Sequence, residues 1–256
     1  LLYPKAKSRN HSSYSIPDGV VSVGDRAFSA AYDLTHIILA QSVTSIGAWA
    51  FQGCANLSRV SIPEGLERIG NGAFSDCRQL SQVDLPARLQ SIGDQAFSGC
   101  GNLGDIILPE GVESIGSKAF DGCLSFEEIR IPNGVRHIGA DAFHNCPGVG
   151  SFSVGAGNTA YSDLDGVLFN ISRTVLIQHP RNNGQTNYAI PEGVEAIGSH
   201  AFSANPFLRS VVIPGSVRSI GQGAFQGVRL AEITIPGSVL SIGAAAFASC
   251  DNLVSA

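Results

Sequence analysis

Residues 62–84 read Ile62-Pro63-Glu64-Gly65-Leu66-Glu67-Arg68-Ile69-Gly70-Asn71-Gly72-Ala73-Phe74-Ser75-Asp76-Cys77-Arg78-Gln79-Leu80-Ser81-Gln82-Val83-Asp84, and the same pattern restarts at Leu85-Pro86. Ala-Phe pairs end at Phe28, Phe51, Phe74, Phe97, Phe120, Phe143, Phe202, Phe225 and Phe247, and an Ile-Gly or Val-Gly pair ends four residues before each of them. The period is 23. Several columns agreeing over nine copies mark a repeat architecture, in which no unit buries its own apolar face and each must stack on its neighbours.

Within one unit, the alternation around Val60, Ser61 and Ile62 is the period-two signature of a short strand. The proline that follows cannot donate to a ladder, so Pro17, Pro63, Pro86, Pro109, Pro132, Pro191, Pro214 and Pro236 each mark a strand end. Stacking the units places the Leu, Ile, Val, Ala and Phe columns in a shared core, with about 1.5–3 kcal/mol for each buried Phe. At about 4.8 Å per strand, nine coils extend over roughly 40 Å with a parallel sheet on one side.

Two departures break the register. Phe143 and Phe202 stand 59 apart, one period plus 36, which sets residues 154–189 aside as an insertion. In it, Asp165-Gly166-Val167-Leu168-Phe169 and Thr174-Val175-Leu176-Ile177 flank a four-residue link and predict a β-hairpin. The unit at Val228 is one residue short and must tighten. The expected organisation is a partial insertion at 1–15, six repeats at 16–153, the hairpin segment at 154–189 and three repeats at 190–256. With no Met, Leu1 at the start, Leu2-Tyr3-Pro4 echoing the end of the insertion, and Leu253-Val254-Ser255-Ala256 stopping inside a strand, the sequence reads as part of a longer array.

The composition, 44% hydrophobic and 14% charged over 256 residues, fits a folded chain. A net charge of -5 with scattered Lys and Arg offers no basic stripe, so nucleic acid is not an expected partner. The apolar runs are far shorter than the roughly 20 residues of a membrane-spanning helix, so no membrane span is expected.

Units such as residues 62–77 resemble the BspA-like, Treponema-type leucine-rich repeat, and residues 161–180 resemble a hairpin element found between blocks of such repeats. The resemblance implies a leucine-rich repeat solenoid: a right-handed curved coil with short parallel β-strands on the concave face, a mostly irregular or short-helical convex side, and one inserted β-hairpin. It also implies surface or secreted proteins that act as adhesins or binding modules. A non-catalytic binding scaffold at the cell surface or outside the cell is therefore expected, with a protein or host extracellular macromolecule as partner. The alternative is the targeting arm of a larger enzyme or effector.

The residues that carry chemistry elsewhere are sparse. Cys54, Cys77, Cys100, Cys123, Cys146 and Cys250 share one phase of the repeat, which Ala31, Asn205 and Val228 fill in other units. That makes them a packing column of buried free thiols rather than disulfides or metal ligands. The histidines lack metal spacing and read as surface residues, and no serine lies in a nucleophile elbow. No cofactor, metal or catalytic residue is expected. The sequons at Asn10, Asn56 and Asn170 read as incidental.

Specificity is expected instead in the variable strand phases that alternate away from the core. Charge and polarity concentrate there at Arg59, Gln82, Asp84, Asp105, Glu127, Glu128 and Arg130, an acidic group flanked by two arginines that reads either as a flat, solvated sheet face or as a surface that could complement a basic one.

Overall fold

The computed structural model describes residues 12–253. The expectations at Leu2-Tyr3-Pro4, at the Asn10 sequon and at Val254-Ser255-Ala256 lie outside them. The chain forms two compact units: one runs up to Phe126 and takes in Pro132–Cys146, and the other joins Glu127–Ile131 to the chain from Pro147 onward.

The first unit stacks six coils, those of Phe28, Phe51, Phe74, Phe97, Phe120 and Phe143. The expected strand column is present where Ser13–Ser15, His36–Ile38 and Arg59–Ser61 pair in parallel with a 23-residue offset. A second column, absent from the sequence reading, is longer. Ser22–Val23, Ser45–Ile46, Arg68–Ile69, Ser91–Ile92, Ser114–Ile115 and His137–Ile138 form a six-stranded parallel sheet. Each of these two-residue strands leads into the Ile-Gly or Val-Gly glycine of its repeat.

That glycine is required by close approach. A Cβ on Gly70 would lie 2.7 Å from Gly47 C and 2.8 Å from Ile46 O, and one on Gly116 would lie 2.3 Å from Asp94 N. The backbone of one coil therefore rests on the glycine of the next. Gly70 N donates to Ile46 O at 2.8 Å from this position, and Gly93 N donates to Ile69 O at the same distance.

The Ala-Phe stretch shows how the repeat closes. In the Phe74 coil, Gly72 N, Phe74 N and Asp76 N donate forward to Asp94 O, Ala96 O and Ser98 O, each at 2.7 Å. The amides between them donate backward within the turn, Ala73 to Gly70 O, Ser75 to Gly72 O and Cys77 to Phe74 O. Alternate amides thus serve alternate partners, which satisfies the buried backbone. The alternation depends on two left-handed residues per coil, here Gly72 at φ 61° and Asp76 at φ 58°. Such residues interrupt α-helical bonding, and no helix occurs among the described residues, so the expected short-helical pieces are turns instead.

Between the strand columns and the turns lies the core. The Phe28, Phe51, Phe74, Phe97, Phe120 and Phe143 rings stack in one file, with centroids 5.1 to 5.8 Å apart and planes within 13° of parallel. Offset ring pairs of this kind are worth about 0.5–1.5 kcal/mol beyond the area they bury.

The second unit begins with Glu128–Ile131 paired in parallel to Ser151–Val154. The predicted hairpin is there: Val167–Asn170 runs antiparallel to Val175–Gln178. An unpredicted strand, Tyr161–Leu164, precedes it through a turn at Asp165 and Gly166, both at positive φ, as a tight hairpin turn requires. Val175–Gln178 then pairs in parallel with Ala196–Ile197, and that strand with Ser219–Ile220 and Ser241–Ile242 in turn.

After the hairpin the chain re-enters the repeat earlier than its side chains suggest. His179 stands 23 residues before Phe202, its N–H donates to Ala201 O at 2.9 Å, and Asn187–Ala189 pairs with Ser210–Val212 at the same offset. Of the 36 extra residues, 23 therefore form a further coil and 13 supply the rest of the hairpin. The second unit holds the coils of His179, Phe202, Phe225 and Phe247. The short coil keeps its turn bonds, with Phe225 N donating to Ala246 O at 2.8 Å, but has no strand between 229 and 235.

Candidate binding face

Alternation along the first strand column sets the direction of the side chains. Ile37, Val60 and Val83 point into the core, while His36, Ile38, Arg59, Ser61, Gln82 and Asp84 are exposed on the opposite face. The three-stranded ladder ends in a single bridge, Arg59 to Gln82, and residues 104–107 form no strand. Where the ladder gives out, Ser58, Arg59, Val60, Ser61, Ser81, Gln82 and Asp84 line an open depression of about 360 Å³.

The polar groups of this depression are only partly engaged with one another. Gln82 Nε2 donates to Asp84 Oδ1 at 3.0 Å, and Ser58 Oγ donates to Thr35 O at 3.1 Å. A guanidinium, an amide, a carboxylate and serine hydroxyls thus face one hollow, a set suited to hydrogen-bonding a polar macromolecular surface. Asp105 and Ile107, further along this unit, are also exposed, Ile107 at 84%.

The remaining predicted residues belong to the second unit. Arg130 donates to Glu128 Oε2 through Nη2 at 2.8 Å and Nε at 3.1 Å, and Ser153 Oγ donates to Glu128 Oε1 at 3.0 Å. The hydrogen bonds from Arg130 and Ser153 hold the Glu128 carboxyl below its ordinary range. Arg130 therefore turns its charge on its own strand neighbour. Glu127 is exposed beside them. Of the seven predicted residues, Arg59, Gln82 and Asp84 share one hollow, Glu128 and Arg130 form a pair, and Asp105 and Glu127 stand on exposed positions.

The cysteines occupy the core. Cys54, Cys77, Cys100, Cys123 and Cys146 are buried, Cys250 is partly so, and all six are free thiols. Each Sγ donates to the backbone carbonyl of a Phe: Cys77 to Phe51 O at 3.2 Å, Cys100 to Phe74 O at 3.1 Å and Cys250 to Phe225 O at 3.1 Å. Burial pushes the Cys54 thiol up to about 11 and that of Cys100 to about 12. No group of three or more His, Cys, Asp or Glu side chains is placed to hold a metal among the described residues, and no helix there is long and apolar enough to cross a membrane.

One histidine departs from the surface expectation. His179 is fully buried, in the position that Phe takes in the other coils. Its ring lies 5.1 Å from Phe202 and edge-on to Tyr188 at 4.7 Å, with Nδ1 2.8 Å from Pro180 O and Nε2 3.3 Å from Gln185 Oε1. Asn205, where other coils carry Cys, donates through Nδ2 to Pro180 O at 3.1 Å. Tyr188 leans on Phe202 much as Tyr14 leans on Phe28, at 5.9 and 5.4 Å. The available signal was the 23-residue offset from Phe202, without the Phe.

The sequence profile described as BspA type Leucine rich repeat region matches six copies over residues 6–110 and 181–256. The chain belongs to this family. Among solved structures it is similar to the pneumococcal vaccine antigen PcpA, with a TM-score of 0.83 and 24% identity over 90% of this chain and 68% of that one. A leucine rich cell surface protein from Faecalibacterium prausnitzii matches with a TM-score of 0.66 and 26% identity, over 96% of this chain and 87% of its own. A leucine-rich repeat protein from Eubacterium ventriosum gives 0.70 and 27%, over 94% of this chain, which spans 58% of that protein. No curated protein matches. These likenesses agree with the coil described above and with a scaffold of the protein-binding kind.

Proposed function

We propose that this BspA-type repeat chain is a non-catalytic binding module, displayed at a cell surface or secreted, that holds a protein or another extracellular macromolecule of a host. The observation that carries the reading is the hollow at Arg59, Gln82 and Asp84. Its side chains come from the phases that vary, and its backbone from the phases that recur. Loops and variable positions on a repeated frame are where binding residues tend to sit. The cell-surface description of the Faecalibacterium protein supports the location.

Surface plasmon resonance of the immobilised chain against purified matrix and cell-surface proteins tests the proposal. Binding at micromolar concentration or tighter is expected, weakened about tenfold or more by Arg59→Ala together with Asp84→Ala. Absence of any macromolecular ligand at that concentration removes the reading. Binding that the double variant leaves intact moves it off this face.

A further inference from the structure

A polar network in the core of a stacked repeat is unusual enough to ask what it does. Gln178, His179 and Asn205 are all buried, in a part of the second unit that is otherwise built from Val167, Phe169, Leu176, Ile190, Val194 and Phe202. His179 follows directly on Val175–Gln178, the strand that joins the hairpin to Ala196–Ile197. Its coil is thus the link between an inserted element and an ordinary repeat.

We propose that the His179 coil is an acid-operated joint in the second unit: taking up a proton on the buried imidazole opens residues 175–190 while the Phe202 and Phe225 coils stay closed. The proposal is independent of the hollow at Arg59, Gln82 and Asp84, which lies in the other unit.

A second proton would place a full charge between the Phe202 and Tyr188 rings, out of water, where an ion is tolerated only when paired. Among the described residues no carboxylate forms an ion pair with His179. Pro180 O and Gln185 Oε1 offer two neutral acceptors.

The titratable and charged groups around it are few. Tyr188, from the paired strand Asn187–Ala189, is pushed up to about 12 by burial and by Asp165, and stays neutral in acid. Arg181, on the following loop, donates to Ala204 O at 3.0 Å and stays charged throughout. His200, beside Ala201 of the next coil, lies against Gly223, and Val175–Gln178 and Val167–Asn170 bring no ionisable side chain. Burial lowers the imidazole to about 4, with the Pro180 and Gln185 bonds acting against it.

The linkage has a definite sign. The open form protonates near 6.5 and the closed form near 4, so acid draws the equilibrium toward the open form between those values and adds nothing below the lower one. From pH 7.5 to pH 4.5 the open population rises roughly 70-fold by the same relation.

Hydrogen exchange read by mass spectrometry at pH 7.5 and pH 4.5, corrected for intrinsic rates, tests this on the full chain. The Phe51, Phe74 and Phe97 coils serve as internal reference. In the parent, opening of 175–190 relative to the reference should rise roughly 70-fold on acidification. His179→Phe, which restores the side chain of the other coils, should abolish the excess. Should that variant pack poorly, His179→Asn keeps a polar group without a proton to gain, and should show opening that is equal at both pH values. An acid response that survives either substitution, or a parent in which 175–190 follows the reference coils, overturns the proposal.

Discussion

Replacing Gly72 by alanine should move the chain's single tryptophan. Trp49 and Gly72 occupy the same left-handed turn position in successive coils, at φ 58° and 61°, and the indole lies across the glycine. A Cβ on Gly72 would fall 1.9 Å from Trp49 Cε3 and 2.1 Å from Cζ3, so the ring must leave its place. Two costs follow. Alanine in the left-handed region is worth about 1 kcal/mol, the low end of the usual range because Ala30, Ala204 and Ala245 already adopt it in their own coils. Displacing the indole from its rotamer adds about 0.5–1.5 kcal/mol.

The sum is about 1.5–2.5 kcal/mol. Urea denaturation followed by circular dichroism measures it, and the emission of the one Trp reports the displacement directly. Because only the second cost involves Trp49, the double variant Trp49→Ala with Gly72→Ala should recover about 0.5–1.5 kcal/mol relative to additivity. Unchanged emission and midpoint in Gly72→Ala would refute the reasoning. So would a double variant whose losses simply add.

Other substitutions separate the kinds of glycine and the weight of the core. Gly116→Ala, whose Cβ would meet Asp94 N at 2.3 Å and Gly93 C at 2.5 Å, should destabilise by about 3 kcal/mol or more, whereas Gly53→Ala, at φ 69° with open space around it, should cost about 1 kcal/mol in the same urea titration. Phe97→Ala removes a fully buried ring from the middle of the stacked file and should cost about 3–5 kcal/mol, read from the shift in urea midpoint. Toward an aromatic disulfide reagent at pH 8, Cys250 should react first by peptide mapping. Cys77, Cys100 and Cys123, whose thiols burial holds well above their ordinary value, should wait for unfolding.

What the sequence disclosed, it disclosed by repetition of single-residue requirements. A Phe that must stack, a thiol-sized side chain behind it and a proline that must end a strand each recur as one letter in a column. The second strand column is only Ser-Ile or a similar pair, too short for a period of two to show. The left-handed positions are filled by Arg26, Trp49, Gln95, Lys118 and Asp141 among others, and nothing about those side chains announces their backbone.

The His179 coil was hidden for a related reason. Its main chain keeps the offset and the hydrogen bonds of the repeat, while its side chains do not. As for the face, period-two alternation sufficed to identify Arg59, Gln82 and Asp84 as outward. The hollow they line depends on where a backbone ladder stops, and no side chain encodes that.

The forward hydrogen bonds of the turns have a mechanical side. Within either unit, neighbouring coils are clipped together by bonds that run from one coil to the next, such as Gly72 to Asp94, Phe74 to Ala96 and Asp76 to Ser98. Pulled along the stack, neighbouring coils of one unit would load these clips one set at a time, as a zip is loaded, rather than all together in shear. Each release frees one period of 23 residues, about 80 Å of extended chain. Within a run of ordinary repeats the extension would come in steps of one period, shortened by one residue at the Val228 coil.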